Sequence, residues 1–136
     1  MLTLVYISTA RAPITEAFCN DILAVSRANN HADGITGLLV AGQNRFLQAL
    51  EGPADKVRET YARITADPRH FATVVLGERI TDTRQFGDWA MGYSAGRDAD
   101  DDAGLEAIVA ALVEPLDDPD LRAQFTGFAG LSARAA

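Results

Sequence analysis

Apolar and polar positions alternate at the start of the chain, in LTLVYIS at residues 2–8. β-Branched and aromatic residues at this period predict a β-strand. The alternation places four side chains on one face of that strand: Leu2, Leu4, Tyr6 and Ser8. Two polar groups are therefore expected on the same face as two leucines.

A helical period follows the break at residues 10–13. Thr15 is expected to be the N-cap of a helix. The carboxylate of Glu16 in the first turn would be stabilised by the positive N-terminal end of the helix dipole. Apolar residues recur at helical spacing and predict the buried stripe: Phe18, Ile22, Val25 and Ala28. The pair Asn29-Asn30 is expected to end the helix, because asparagine tolerates left-handed backbone geometry.

The next segments predict a β-hairpin and a second helix. Residues 34–42 and 45–51 are strand-like and are joined by a short Gly-Gln-Asn turn. Gly52-Pro53 then begins a helix, because proline loses no hydrogen bond in the first turn. The residues expected to face inward recur at helical spacing and are Val57, Tyr61 and Ile64. Asp67-Pro68 is expected to end this helix.

Residues 72–80 predict a fourth strand and 89–94 a short fifth. The order β-α-β-β-α-β-β is typical of an α+β, ferredoxin-like fold, here with a mixed sheet of about five strands. Both helices should cover one face of that sheet.

The composition changes at residue 98, where an acidic run begins. We therefore expect a domain at 1–97 and an acidic helical extension at 98–136. Two amphipathic helices are predicted there from apolar positions: Leu105, Ile108, Val109 and Leu112 in one, and Leu121, Phe125 and Phe128 in the other. Their stripes must be covered, and the open sheet face and a partner subunit are both candidates.

Composition narrows the class of protein. A chain of 136 residues with 48% hydrophobic residues supports one compact core. A net charge of −7 argues against nucleic-acid binding, because phosphates would be repelled. No apolar run approaches the roughly 20 residues that span a bilayer, and the start lacks a basic leader. The single cysteine excludes an internal disulfide and fits a reducing compartment, so a cytoplasmic location is expected.

One polar residue is unusual in its position. In RFLQALE, at residues 45–51, alternation puts Gln48 on the same face as Phe46 and Leu50. An amide left unpaired on an apolar face would cost roughly 1–3 kcal/mol. Tyr6 and Asn30 are expected close to it. Either these polar groups satisfy one another, or they converge on a slot for a flat heterocyclic cofactor.

Several segments resemble the BLUF family of flavin-binding blue-light sensors. They are LVYIS at 4–8, SRANN at 26–30, GITGLLV at 34–40, FLQALEG at 46–52, ITADPRH at 64–70 and RQFGDWAMGY at 84–93. The similarity covers roughly residues 2–97. It implies FAD held non-covalently between the two helices, with FMN or riboflavin as possible substitutes.

The resemblance also implies roles for individual residues. Gln48 matches a switch glutamine that bridges the flavin and Tyr6, and Asn30 matches the residue that binds the flavin's C4 carbonyl and N3 edge. Trp89 and Met91 match a strand that responds to light. The other expected contacts are Ser8 and Asn29 beside these groups, the pocket walls Ile22, Ser26, Leu38, Phe46 and Ile64, and the polar residues Arg63, Asp67, Arg69 and His70 toward the far edge of the flavin.

By the same resemblance, excited flavin would draw an electron and a proton from Tyr6 through Gln48. When the electron and proton recombine with Tyr6, the amide would be left rotated or tautomerised, donating to the C4 carbonyl and shifting absorption to the red. The signal would leave through the last strand and the C-terminal helices to a downstream protein, and a homo-oligomer is expected.

Two other classes of function are alternatives. One is a ferredoxin-like interaction module without flavin. The other is an enzyme, which has little support. The two histidines, His31 and His70, have no carboxylate or thiol spaced with them as a metal set or catalytic triad.

Overall fold

A computed structural model describes residues 1–11, 15–42, 44–86, 92–95, 109–111, 113–114, 116 and 118–134. Trp89, Met91 and the acidic run that begins at residue 98 lie outside these ranges. The elements are β1 (Leu2–Ala10), α1 (Glu16–Asp33), β2 (Thr36–Gly42), β3 (Arg45–Gly52), α2 (Ala54–Thr65), β4 (His70–Ile80), β5 (Gly92–Ala95) and α3 (Pro119–Arg134). Helical backbone is also present at 109–111 and 113.

The strands form one sheet in the order β4-β1-β3-β2-β5. β1 pairs antiparallel with β3 and β4, β2 pairs antiparallel with β3, and β2 pairs parallel with β5. The predicted α+β fold with a mixed sheet is thus confirmed. β1 and β3 lie side by side in the centre, so the strands that carry Tyr6 and Gln48 are adjacent.

Helix α1 differs from its prediction at both its end and its buried face. Thr15 caps it as expected, its hydroxyl accepting from the Phe18 N–H at 3.1 Å. The helix continues past Asn30, however, and ends at Gly34, whose φ of 70° is left-handed. Glycine adopts this geometry without the strain that a Cβ would bring, so it is the better stop signal.

The predicted stripe on α1 was wrong at two of its four positions. Val25 is 55% exposed and Ala28 is also exposed, whereas Leu23 and Asn30 are buried. The inner face is rotated toward Ser26 and Asn30. A rule that seeks apolar residues misses this face, because two of its positions are polar.

Each face of the sheet carries its own apolar cluster. On the α1/α2 side, Leu4, Leu39 and Leu50 pack with Val57 of α2. On the other side, residues of β1, β2 and β3 pack with α3. The predicted stripe residues of α3 are all buried there: Leu121, Phe125 and Phe128. Of the two candidates for covering this stripe, the sheet face is the one that does so.

Among the described residues, no helix combines the length and apolarity needed to cross a bilayer. Nor do the described side chains include a group of three or more histidines, cysteines, aspartates or glutamates placed to hold a metal ion.

Candidate functional site

A hydrogen-bonded phenol and amide lie at the centre of the sheet. The β1–β3 register places Tyr6 directly opposite Gln48. The Tyr6 hydroxyl donates to Oε1 of Gln48. Both side chains are buried, at 3% and 4% exposure. Because Oε1 faces the hydroxyl, the amide NH₂ of Gln48 is directed away from Tyr6.

The surroundings of Tyr6 keep its hydroxyl protonated. The Tyr61 ring lies 5.3 Å from the Tyr6 ring, and the His70 ring lies 6.5 Å away. Burial raises the pKa of Tyr6 well above its ordinary value, and the nearby Tyr61 and Asp67 raise it further. The phenol is therefore a hydrogen-bond donor over the whole physiological pH range.

An inner pocket lies over this pair, between α1 and α2. Its wall residues come from both helices and from the sheet, and polar groups stand at its inner end. It has a volume of about 60 Å³ and is lined by Tyr6, Ile22, Ser26, Leu39, Phe46, Gln48, Ile64, Asp67, Arg69 and His70.

A wider outer cleft adjoins the inner pocket. The two share Ser26, Gln48, Ile64, Asp67 and Arg69. The outer cleft has a volume of about 190 Å³, and its further lining residues are Val25, Asn29, Asn30, Leu50, Thr60 and Arg63. Together the two cavities form one slot with aliphatic side walls, and the Gln48 amide lines both of them.

His70 ties the end of α2 to β1 beside the inner pocket. Its Nδ1 lies 2.8 Å from Ser8 Oγ, and its Nε2 lies 2.5 Å from the Ile64 carbonyl oxygen. A carbonyl oxygen only accepts, so Nε2 carries a proton, and in the neutral ring Nδ1 accepts from the Ser8 hydroxyl. Ser8 thus supports the pocket through His70, although it does not line either cavity.

An ion pair lies where the inner pocket and the outer cleft meet. The Arg69 Nε donates to both carboxylate oxygens of Asp67 at 2.9 Å, and Arg69 Nη2 also bonds to it. These bonds hold the pKa of Asp67 below its ordinary value. Farther out, Arg63 Nη2 lies 3.2 Å from Asp33 and 3.1 Å from the Thr60 hydroxyl.

Asp67→Asn is expected to lower the free energy of unfolding at neutral pH by about 0.5–1 kcal/mol, as for a partly exposed pair. The folded pKa lies below the ordinary 3.8. The extra stability of the wild type over Asp67→Asn should therefore be fully present above pH 3.8 and should be lost as the pH falls through the folded pKa. Urea unfolding at several pH values measures it. A difference that grows in acid would contradict this account.

The prediction that Leu38 lines the cofactor pocket is wrong. It is buried in the cluster beneath α3, on the opposite side of the sheet, and its neighbour Leu39 lines the pocket instead. Successive strand residues point to opposite faces, so an error of one position moves the side chain through the sheet. The structure pairs Gly42 with Arg45 and therefore Leu39 with Gln48, whereas a three-residue Gly-Gln-Asn turn would have paired Leu38 with Gln48.

Most of the predicted cofactor contacts line the slot. Twelve of the fourteen predicted cofactor contacts line the slot, all except Ser8 and Leu38. Trp89 and Met91 lie outside the described residues. Four lining residues were missed: Leu39, Val25, Leu50 and Thr60.

The fold and this slot define an α+β domain with a candidate ligand site between two helices and the centre of the sheet. The family described as sensors of blue-light using FAD (BLUF) matches residues 1–92. The chain belongs to the BLUF family of flavin-binding blue-light sensors.

Particular relatives agree with that assignment. The chain is 40% identical over 70 residues to the photoactivated adenylate cyclase subunit beta of Euglena gracilis, a match covering 52% of this chain and 8% of that protein. It is 31% identical over 91 residues to the blue light- and temperature-regulated antirepressor BluF of Escherichia coli (strain K12), covering 67% of this chain and 23% of the other. It thus spans less than a quarter of either relative.

A solved structure of similar length also matches. The dark-state structure of the BLUF protein BlrB is 27% identical, with a TM-score of 0.74 and 96% of each chain covered.

Proposed function

We propose that this chain senses blue light by holding FAD non-covalently between α1 and α2, with the Tyr6–Gln48 pair as its switch. The observation that carries the proposal is the buried hydrogen bond from the Tyr6 hydroxyl to Gln48 Oε1, at the inner end of the slot. Bound flavin would supply blue-light absorption and, once excited, a strong electron acceptor.

The residues present suit a flavin. Ile22 of α1 and Ile64 of α2 offer aliphatic surface for the faces of a flat ring. The amides of Asn30 and Gln48 offer donors and acceptors, which a ring edge of alternating carbonyl and N–H groups requires. The inner pocket is narrow and the outer cleft wider, so the ring edge would lie inward. FMN and riboflavin share that ring and would substitute for FAD.

The charged residues of the slot suit the rest of the cofactor. Arg69 lies beside Asp67, and Arg63, in the outer cleft, lies beside Asp33. Guanidinium groups bind phosphates well, whereas carboxylates accept from ribityl hydroxyls. We propose that these residues, with Asn29 and His70 near them, receive the ribityl chain and its substituents.

The chain's own groups perform the switching step. Tyr6 holds its proton on the hydroxyl oxygen because burial disfavours the phenolate. That proton points to Gln48 Oε1, so loss of an electron by Tyr6 would pass the proton to the amide. Return of the electron and of a proton to Tyr6 would leave Gln48 rotated or tautomerised, with a donor directed to the C4 carbonyl of the ring. The stronger hydrogen bond would shift absorption to longer wavelength.

We further propose how the signal leaves. It would pass through the last strand, where Trp89 and Met91 are expected, and into the C-terminal helices, to a downstream protein. In this proposal residues 1–97 are the flavin domain and 98–136 its helical extension. The chain would have no catalytic activity of its own, would act in the cytoplasm, and would form a homo-oligomer.

An absorption spectrum before and after blue light tests the proposal. The protein purified with FAD should be yellow, and its flavin band should move to the red and relax in darkness. Denaturation followed by chromatography identifies the released flavin. A protein that binds no flavin would instead be the interaction module considered above, and a flavin band unmoved by light would remove the switch.

Tyr6→Phe is expected to keep the flavin and to lose the reversible red shift. Phenylalanine preserves the ring that packs near Tyr61 but lacks the hydroxyl that bonds Gln48. Tyr61→Phe is the matched control, since it removes a hydroxyl from a neighbouring ring. A normal light-induced shift in Tyr6→Phe would exclude the phenol as donor.

A further inference from the structure

Glu51 is a fully buried acidic residue that the proposed switch does not use. It is 0% exposed, yet glutamate is almost never buried without partners. It follows Gln48 on β3, and alternation directs its side chain to the opposite face of the sheet, toward α3. Burying a carboxyl group is costly unless hydrogen bonds replace its water.

The partners of Glu51 are backbone groups of a distant segment. Its Oε2 accepts from the Gln85 N–H at 2.7 Å, and its Oε1 accepts from the Phe86 N–H at 3.2 Å. Oε1 also accepts from the Thr36 hydroxyl at 3.1 Å. The carboxyl group therefore fastens residues 85–86 to the start of β2 and the end of β3.

Arg84 reinforces the same attachment from outside. Its guanidinium donates to the Gly34 carbonyl at 2.8 Å and to the Thr36 hydroxyl at 2.9 Å. We call these contacts, made by Glu51, Thr36 and Arg84 around residues 84–86, the Glu51 clamp.

The Glu51 clamp places Phe86 between the sheet and the C-terminal helix. Phe86 is 3% exposed, and its ring meets the ring of Phe125 in α3 edge-on, with centroids 6.3 Å apart. Both belong to the apolar cluster on that side of the sheet. A continuous path of contacts thus runs from β3, through Glu51 and Phe86, to α3.

We propose that Glu51 is a positioning residue that couples the switch strand β3 to α3. This inference rests on the proposed function, since it gives the Gln48 rearrangement a route to the C-terminal helix. A shift of β3 would move the carboxyl group and, with it, the two backbone N–H groups that hold Phe86 against Phe125. Glutamate suits this role because both of its oxygens accept, whereas glutamine offers only one acceptor.

Glu51→Gln in the full chain with FAD tests the coupling. Two readouts are taken from the same sample: the light-minus-dark absorption spectrum and light-minus-dark amide hydrogen exchange of residues 119–134. The red shift should be retained, because Gln48 lies on the other face. The light-induced exchange difference in α3 should be lost. Glu78→Gln is the matched control, an exposed carboxylate bonded to Arg58, and should behave as wild type in both readouts.

The outcomes separate the two proposals. A wild-type protein without a red shift would overturn the proposed function and this inference with it. A red shift in both proteins, with the α3 difference undiminished in Glu51→Gln, would overturn the coupling alone. A wild-type protein that shifts without any exchange change in α3 would do the same.

A second variant covers the case in which Glu51→Gln does not fold. Arg84→Met removes the outer half of the Glu51 clamp while Glu51 keeps its backbone partners. It should reduce the light-induced exchange difference in α3 and leave the red shift in place. An α3 difference equal to that of wild type in Arg84→Met would overturn the coupling.

Discussion

Gln48→Leu is expected to give a protein that binds flavin but shows no light-induced red shift. Leucine fills most of the volume of glutamine and suits the neighbouring Phe46 and Leu50. It removes Oε1, the acceptor of the Tyr6 hydroxyl, and with it every group that could rearrange. Losing that buried acceptor should also cost about 1–3 kcal/mol of stability. Light-minus-dark absorption spectra and urea unfolding measure both effects.

Gln124→Leu provides the control for that substitution. Gln124 lies on α3, with its side-chain amide next to Gly77 of β4. It is on the far side of the sheet from the slot. The same chemical change there should leave the red shift intact. A normal shift in Gln48→Leu would show that the amide is not the element that light rearranges.

Phe125→Ala is expected to lower the free energy of unfolding by about 3–5 kcal/mol, as for other buried aromatic residues. Phe125 is 0% exposed and packs against Phe86 within the cluster that joins α3 to the sheet. Removing its ring would leave a cavity under a helix that is held mainly by apolar contacts. Chemical unfolding followed by circular dichroism measures the loss.

Phe71→Ala is the matched comparison. Phe71 lies on the edge strand β4 and is 42% exposed, with Arg11 placed 4.8 Å over its ring. Losing that cation–π contact should cost no more than about 1 kcal/mol. Equal losses for the two phenylalanines would contradict the assignment of α3 to the core.

Strand positions could be predicted well because the sheet has a period of two. Alternation alone placed Tyr6 and Gln48 on one face, and the structure brings them into hydrogen-bond contact. The same rule gave the wrong face for Leu38, because alternation does not determine the register with which β2 pairs with β3. The pairing of Gly42 with Arg45 in the structure selects Leu39 instead.

Helix α1 was harder because a ligand slot interrupts its apolar pattern. Ser26 and Asn30 face inward, so a stripe defined by apolar residues alone runs through Val25 instead, which is 55% exposed. A polar interruption on an inner face is itself a sign of a site. Recognising it required the resemblance to a family, since periodicity could not separate such residues from a solvated face.

The Glu51 clamp could not have been predicted from local pattern. Glu51 contacts the backbone of residues 34 positions away, and no rule of spacing relates them. Thr60 was missed for a related reason. Threonine in a helix occurs at both buried and exposed positions. The position of Thr60 in the outer cleft follows only from the way α2 packs on the sheet.

A crystal structure of the chain bound to FAD tests the central claim most directly. The account predicts the flavin ring between α1 and α2, with its polar edge within hydrogen-bonding distance of the Gln48 and Asn30 amides and Tyr6 still bonded to Gln48. A dinucleotide bound elsewhere, or a Gln48 side chain turned toward solvent, would contradict it.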